Sequence, residues 1–154
     1  MTGVAIAPEP FDAPDGAALR AAMEREMVER YGEDLEPGAK PTAADVAVFL
    51  VARDRAGAAV GCGALRRLGD GAVELKRMYV RPGARRLGAG AALLAALEAA
   101  AQRLGASTVR LETGPGQPEA IALYERAGYR PIPCWGAYAE LEGTLCFERA
   151  LTPS

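Results

Sequence analysis

The sequence predicts an α/β protein built on a mixed, mostly antiparallel sheet. Three observations carry this. Residues 46–80 hold three strand-type runs in succession, Val46–Arg53, Ala58–Leu68 and Ala72–Val80, joined by turn signals at Arg55-Ala56-Gly57 and Gly69-Asp70-Gly71. That pattern is an antiparallel meander. The third run then feeds a short basic, glycine-bearing loop that opens into a helix, Gly88–Leu104. Another strand, Ser107–Thr113, follows the helix, parallel to Ala72–Val80 through a right-handed crossover.

The remaining elements fall into place around these. Val4–Pro10 reads as a first strand, and Asp12, Pro14, Asp15 and Gly16 mark a turn. From Ala17 to Tyr31 the residues Leu19, Met23, Met27 and Tyr31 recur every four positions, with charged residues between them. This is an amphipathic helix with Asp15 as its cap and Gly32 as its stop. Glu33–Asp45 is a loop, acidic and then rich in Pro, Gly and Ala; it is either a solvated connection or a wall of an acceptor site. Gly61 and Gly63 within a strand signal a close backbone approach or a bulge. In Gly88–Leu104 the buried face is Leu93, Leu94, Leu97, Ala101 and Leu104, and Gly105 ends the helix. Gly114-Pro115-Gly116 breaks the next strand. Pro118–Ala127 is a short helix, Tyr129–Ile132 a short strand, Pro133–Gly143 a loop, and Thr144–Leu151 the last strand.

Composition narrows the function. The 154 residues, half of them apolar, fit one domain spanning 1–154 with a sizeable core. A formal charge of −2 gives no reason to expect a nucleic-acid surface. No apolar run reaches the length of a membrane span, and the N-terminus lacks a basic start and a signal-peptide core. Three cysteines, Cys62, Cys134 and Cys146, are odd in number and form no CxxC pair. A disulfide framework or zinc site is therefore not expected, Cys134 reads as an ordinary thiol, and a cytoplasmic location fits. The chain contains no histidine. Ser–His–Asp and Cys–His mechanisms and His-ligated metal are excluded, so acid–base work must fall to Glu, Asp, Tyr, Lys, Cys or water.

The basic loop carries the chemistry. Arg85 and Arg86 precede Gly88-Ala89-Gly90, and no Ser, Thr, Asp or Asn stands where a helix cap would absorb the free amides. Free N–H groups, a positive dipole end and guanidinium groups together form an anion site, most simply for phosphate. A Walker-type loop would need Gly-Lys-Ser/Thr, and the chain has Gly90-Ala91-Ala92. A dinucleotide fingerprint would need a third glycine where Leu93 stands. It would also need the loop immediately after the strand, although Glu112 does fall near the place of its ribose-binding acid.

Arg85-Arg86-Leu87-Gly88-Ala89-Gly90 matches the signature Gln/Arg-x-x-Gly-x-Gly/Ala, and Ala120–Tyr129 matches A-I-x-L-Y-x-x-x-G-F/Y. With both motifs in order, the chain resembles the GNAT superfamily of acetyl-CoA-dependent N-acetyltransferases. Gly61–Leu65 and Glu74–Val80 look like that family's central strands. The resemblance implies a GNAT fold with helices on both faces of the sheet. It implies acetyl-CoA as co-substrate without a metal. Backbone groups of Met78, Tyr79 and Val80 would hold the pantetheine arm, with a bulge near Val80 splaying the strands. Amides of Arg86, Leu87, Gly88, Ala89, Gly90 and Ala91, helped by the Arg85 and Arg86 side chains, would hold the pyrophosphate. Gln117 stands where family members often carry Asn, and its amide would reach the pantetheine.

By the same resemblance Tyr124 would stand near the thioester sulfur. A departing thiolate, with a pKa of about 8.5, can take a proton from a phenol near 10 in a water-poor site. Glu74 is the candidate base for an ammonium acceptor, or else the partner of a structural ion pair with Lys76 or another cation; ordered water could also serve. Strand alternation puts Glu74, Lys76 and Met78 on one face and Leu75, Arg77 and Tyr79 on the other. Trp135 and Tyr138 either line the acceptor pocket or cap the core. Glu33, Asp34 and Glu36 could attract a cationic amine, though such a cluster also reads as a solvated loop. The expected reaction is direct acetyl transfer to a primary amine, in a small molecule, an amino acid or a peptide, by a monomer or homodimer. The rivals are a non-catalytic acyl-CoA sensor on the same fold and a nucleotide-binding protein.

Overall fold

The computed structural model describes residues 3–32, 42–114 and 116–151; the side chains of residues 86 and 87 fall outside that description. Glu33, Asp34 and Glu36 thus lie outside the described residues. In chain order the elements are β1 (Ala5–Pro8), α1 (Pro14–Tyr31), β2 (Val46–Arg53), β3 (Ala59–Gly69), β4 (Ala72–Val80), α2 (Ala89–Arg103), β5 (Thr108–Thr113), α3 (Pro118–Arg126), β6 (Arg130–Ile132) and β7 (Leu145–Ala150). The strands form one sheet in the order β1-β2-β3-β4-β5-β7-β6, and β4–β5 is its parallel pair. The meander, its turns and the parallel return stand as the sequence predicts. Gly69, Asp70 and Gly71 all adopt positive φ in the β3–β4 turn.

Two apolar clusters lie on the two faces. Val73 and Leu75 of β4 pack with Leu93, Leu94 and Leu97 of α2, and with Tyr124 of α3. On the other face Phe49 and Val51 of β2 pack with Leu19 of α1 and with Phe11, which precedes that helix. Four points correct the expectations. First, α1 begins at Pro14, with Ala13 at the cap position and no side-chain cap. Proline presets φ for a first helical turn, so Pro14 starts the helix rather than marking a turn. Asp15 accepts from Arg53 at 2.9 Å. Gly16 lets α1 lie on the sheet, since a Cβ there would come within 2.5 Å of the Phe49 ring.

Second, the bulge lies earlier than Val80. The register of β3 with β4 shifts between Cys62/Tyr79 and Ala64/Lys76, and Arg77 adopts φ 56°. Two residues, Arg77 and Met78, then oppose Gly63, which turns the later side chains over. Met78 and Val80 join the α2-side cluster with Leu75, whereas Tyr79 joins the α1-side cluster. Strict alternation therefore fails beyond Lys76. Third, Pro82–Leu87 and Gly136–Glu140 are 3₁₀ turns within the stretches expected as loops.

Fourth, Cys134 and Cys146 form a disulfide, with Cα atoms 5.2 Å apart. Pairing of β6 with β7 sets Ile132 against Cys146, and the chain brings Cys134 alongside two residues later. An odd cysteine count does not prevent one pair from forming. Cys62 is the free thiol; it is fully buried, and burial pushes its pKa up to about 12. Among the described residues no helix is long and apolar enough to cross a membrane.

Candidate active site

The site begins where two strands part. β4 pairs with β5 only from Ala72/Thr108 to Glu74/Arg110. Beyond that point β4 stays on β3 as far as Val80, while β5 stays on β7 as far as Thr113. The gap opens into a cleft, and α1 covers it. The α1 stripe is divided accordingly: Leu19 is core, whereas Met23, Met27 and Tyr31 line the cleft. Gly114 and Gly116 admit the Tyr31 ring, because a Cβ at either would lie within 3 Å of the Tyr31 hydroxyl oxygen.

One limb of the cleft is the groove between β4, α2 and α3. Met78, Tyr79, Val80, Arg85, Gly88, Gly90, Ala91 and Gln117 all line it, as does Tyr124. Gly88 takes φ 75°, and no side chain caps α2. The N-cap residue Gly88 thus offers no side-chain acceptor to the first-turn amides of α2, and the helix dipole adds positive potential there. Ala89 is fully buried, so only its backbone can serve a ligand. The side chains of Arg86 and Leu87 lie outside the described ones. Arg85 is engaged within the chain: Nη2 donates to both carboxylate oxygens of Glu26, at 2.8 and 2.7 Å, and Nε donates to the Val80 carbonyl at 2.9 Å. The carbonyl expected to pair with a pantetheine arm is thus held by an arginine expected to hold pyrophosphate.

The second limb passes between β4, β5 and the segment before β7. Glu74, Lys76, Glu112, Tyr138 and Thr144 line it, and Met78, Gln117 and Tyr124 line both limbs. Glu74 is 1 % exposed. One of its oxygens accepts from Arg66 at 2.7 Å, the other from the Tyr138 hydroxyl at 2.6 Å. Lys76, also buried, donates to the same hydroxyl at 2.7 Å. Tyr138 therefore belongs to the pocket. Trp135 stacks edge-on behind it, with ring centroids 5.3 Å apart.

Tyr124 sits at the junction of the limbs, 6 % exposed, against Tyr129. Burial, and then the charge of Glu112, hold its phenol above the ordinary value of 10.0. Sequence reading did not place Glu112 or Tyr138 firmly in the site. Glu112 is half-buried on β5 and accepts from Thr144 Oγ1. Its signal is positional: it shares a β5 face with Arg110, opposite the core residues Val109 and Leu111, at the end where β5 has left β4. Tyr138 had no such signal, since a 3₁₀ turn carries it in from the far edge of the sheet.

An opened parallel strand pair thus lies beside a glycine-led helix, and two limbs of one cleft meet at a tyrosine, an arrangement with room for two ligands. Comparison with known proteins gives the family. The model of the acetyltransferase (GNAT) family matches residues 17–129, and the chain belongs to that family. An IAA acetyltransferase of Azospirillum brasilense is 37 % identical over 134 residues, covering 82 % of this chain and 87 % of that protein. A Klebsiella pneumoniae protein assigned as an acyl-CoA N-acyltransferase superposes with a TM-score of 0.84 at 34 % identity, covering 99 % of this chain and all of that one. A GNAT acetyltransferase of Elizabethkingia anophelis, solved with acetyl-CoA bound, shares the fold at 17 % identity and a TM-score of 0.71, covering 97 % of this chain and 99 % of that one.

Proposed function

We propose that this chain, acting as one domain, transfers acetyl from acetyl-CoA directly to an amine acceptor. The observation that carries this reading is the meeting of the two limbs at Tyr124. One limb has the fittings of a phosphate and pantetheine groove, and the other is a part-polar pocket of acceptor size. The first-turn amides of α2 suit a pyrophosphate, and Gly88 and Gly90 let it approach the backbone. Acetyl-CoA supplies an acyl thioester. The chain aligns it with the amine, and attack forms the amide bond as the carbon–sulfur bond breaks. Tyr124, proton-loaded at neutral pH, donates to the departing thiolate, and the proton shed by the newly acylated nitrogen restores the phenol.

An ammonium acceptor must first lose a proton. Glu74 has both oxygens engaged, which supports a positioning role for it. Glu112 lies in the same pocket with its charge felt at Tyr124, which supports it as the proton acceptor. No group of three or more metal-ligating side chains stands among the described residues.

Calorimetric titration with acetyl-CoA, CoA, ATP and NAD comes first, followed by a screen of small amines, amino acids and peptides. Selective CoA-type binding with acetyl transfer supports the reading. Selective binding without transfer to any amine favours an acyl-CoA sensor, and preference for ATP or NAD overturns the cofactor. Tyr124→Phe is expected to lower kcat about 100-fold and to leave acetyl-CoA affinity within about twofold.

A further inference from the structure

The acceptor limb has a wall of separate origin. Tyr138, Leu141, Glu142, Gly143 and Thr144 all line it, and all lie between Cys134 and Cys146. The disulfide closes this segment into a covalent loop. Within the loop, Tyr138 joins Glu74 and Lys76 of the sheet, and Thr144 donates to Glu112. Leu145 and Cys146 pair in the sheet as the start of β7; before them the backbone hydrogen bonds of the segment are short-range turns, Tyr138 to Trp135 and Leu141 to Tyr138. Between the anchors at Tyr138 and β7 the backbone makes local turns, and covalent closure narrows the geometries those turns can take.

We propose that the Cys134–Cys146 bond is a redox-modifiable clasp on the acceptor wall, and that thiol reductants open it. The proposal rests on the reading of this limb as the acceptor pocket. Cys134 is half-buried beside the exposed Gly136 and Ala137, whereas Cys146 is buried, so reduction begins at Cys134. A dithiol attacks the Cys134 sulfur as its thiolate. The protein S–S bond breaks and Cys146 leaves as a thiolate that takes up a proton. The second thiol of the reductant then displaces Cys134, which is also protonated, and the reductant closes as a disulfide. Two electrons and two protons pass to the protein. Cys62 does not compete, because it is buried with its thiol held protonated.

Opening the clasp releases Tyr138 from Glu74 and Lys76 and loosens the acceptor side. The groove beside α2 is built from other elements and keeps its form. The test uses the full chain, unreduced and after dithiothreitol, with Cys134→Ser as a second route to the open state. Thiol titration of the denatured chain should find one thiol before reduction and three after it. Amides of residues 136–144 should exchange about tenfold faster once reduced, while those of residues 88–92 stay unchanged. Emission of Trp135, the single tryptophan of the chain, should shift with them. Cys134→Ser should match the reduced protein and ignore dithiothreitol. With an acceptor from the amine screen, acceptor KM should rise about tenfold on reduction and acetyl-CoA KM stay within about twofold. Three thiols before reduction, or unchanged exchange at 136–144, overturns the clasp even if acetyl transfer is active. Faster exchange without transfer to any amine supports the clasp and overturns the proposed reaction instead.

Discussion

Glu74 shows how a buried carboxylate is held. Removing it from water is tolerable because Arg66 and Tyr138 satisfy both oxygens. Glu74→Gln leaves Arg66 without its charge partner and should cost about 2 kcal/mol in urea denaturation. Glu112→Gln should spare stability more and flatten the acidic limb of the kcat/KM pH profile; if Glu74→Gln alone removes that limb, Glu74 is the base. At the groove, Glu26 competes with any phosphate for Arg85. The pair is about a third exposed, so its strength is modest. Glu26→Gln should tighten CoA binding about two- to fivefold by calorimetry, an effect that shrinks with added salt.

At the scale of elements, the decisive local event is the bulge at Arg77. It ends the alternation of β4, turns Met78 toward α2, and leaves Glu74 and Lys76 facing the second limb of the cleft. Gly63, directly opposite, has no room for a Cβ, which would meet Leu97 Cδ1 at 2.5 Å. The α1 helix is placed by a similar fit at Gly16. Gly16→Ala should destabilise by about 1 kcal/mol: overpacking against Phe49 costs about 1–3 kcal/mol, and better helix propensity offsets up to about 1 of it. A Tm measurement checks the sign. A rise in Tm would show that the Phe49 ring yields freely.

For the whole molecule, the buried phenols set an alkaline limit. Burial is the largest cause raising both Tyr124 and Tyr129, with Glu112 next at the first and Glu98 at the second. Burial also raises Cys62 from 9.0 to about 12. A raised folded pKa adds stability that is complete below the unfolded value and is lost as pH climbs toward the folded one. Urea midpoints should therefore hold up to about pH 9 and fall increasingly beyond about pH 10. Tyr129→Phe should make that fall shallower. An unchanged slope would show that other groups control it.

The sequence alone determined the strand order through the meander, the parallel return and the glycine-led helix start. These depend on period, turn chemistry and capping, all of which act within a few residues. The residues that the resemblance singled out, Met78, Tyr79, Val80, Arg85, Gly88, Gly90, Ala91, Gln117 and Tyr124, line one groove of the structure. Only the tertiary structure decided what depends on contacts between distant residues. Gly63 signalled a bulge or a close approach in the sequence, but the pairing of β3 with β4 decided that Arg77, on the facing strand, takes it up. Met27 and Tyr31 roof the cleft because the strands beneath them have parted. Tyr138 reaches Glu74 across 64 positions of chain. Cys134 meets Cys146 because β6 pairs with β7 at the far edge of the sheet. Local periodicity reports which face is apolar, but it cannot report which distant group that face will meet.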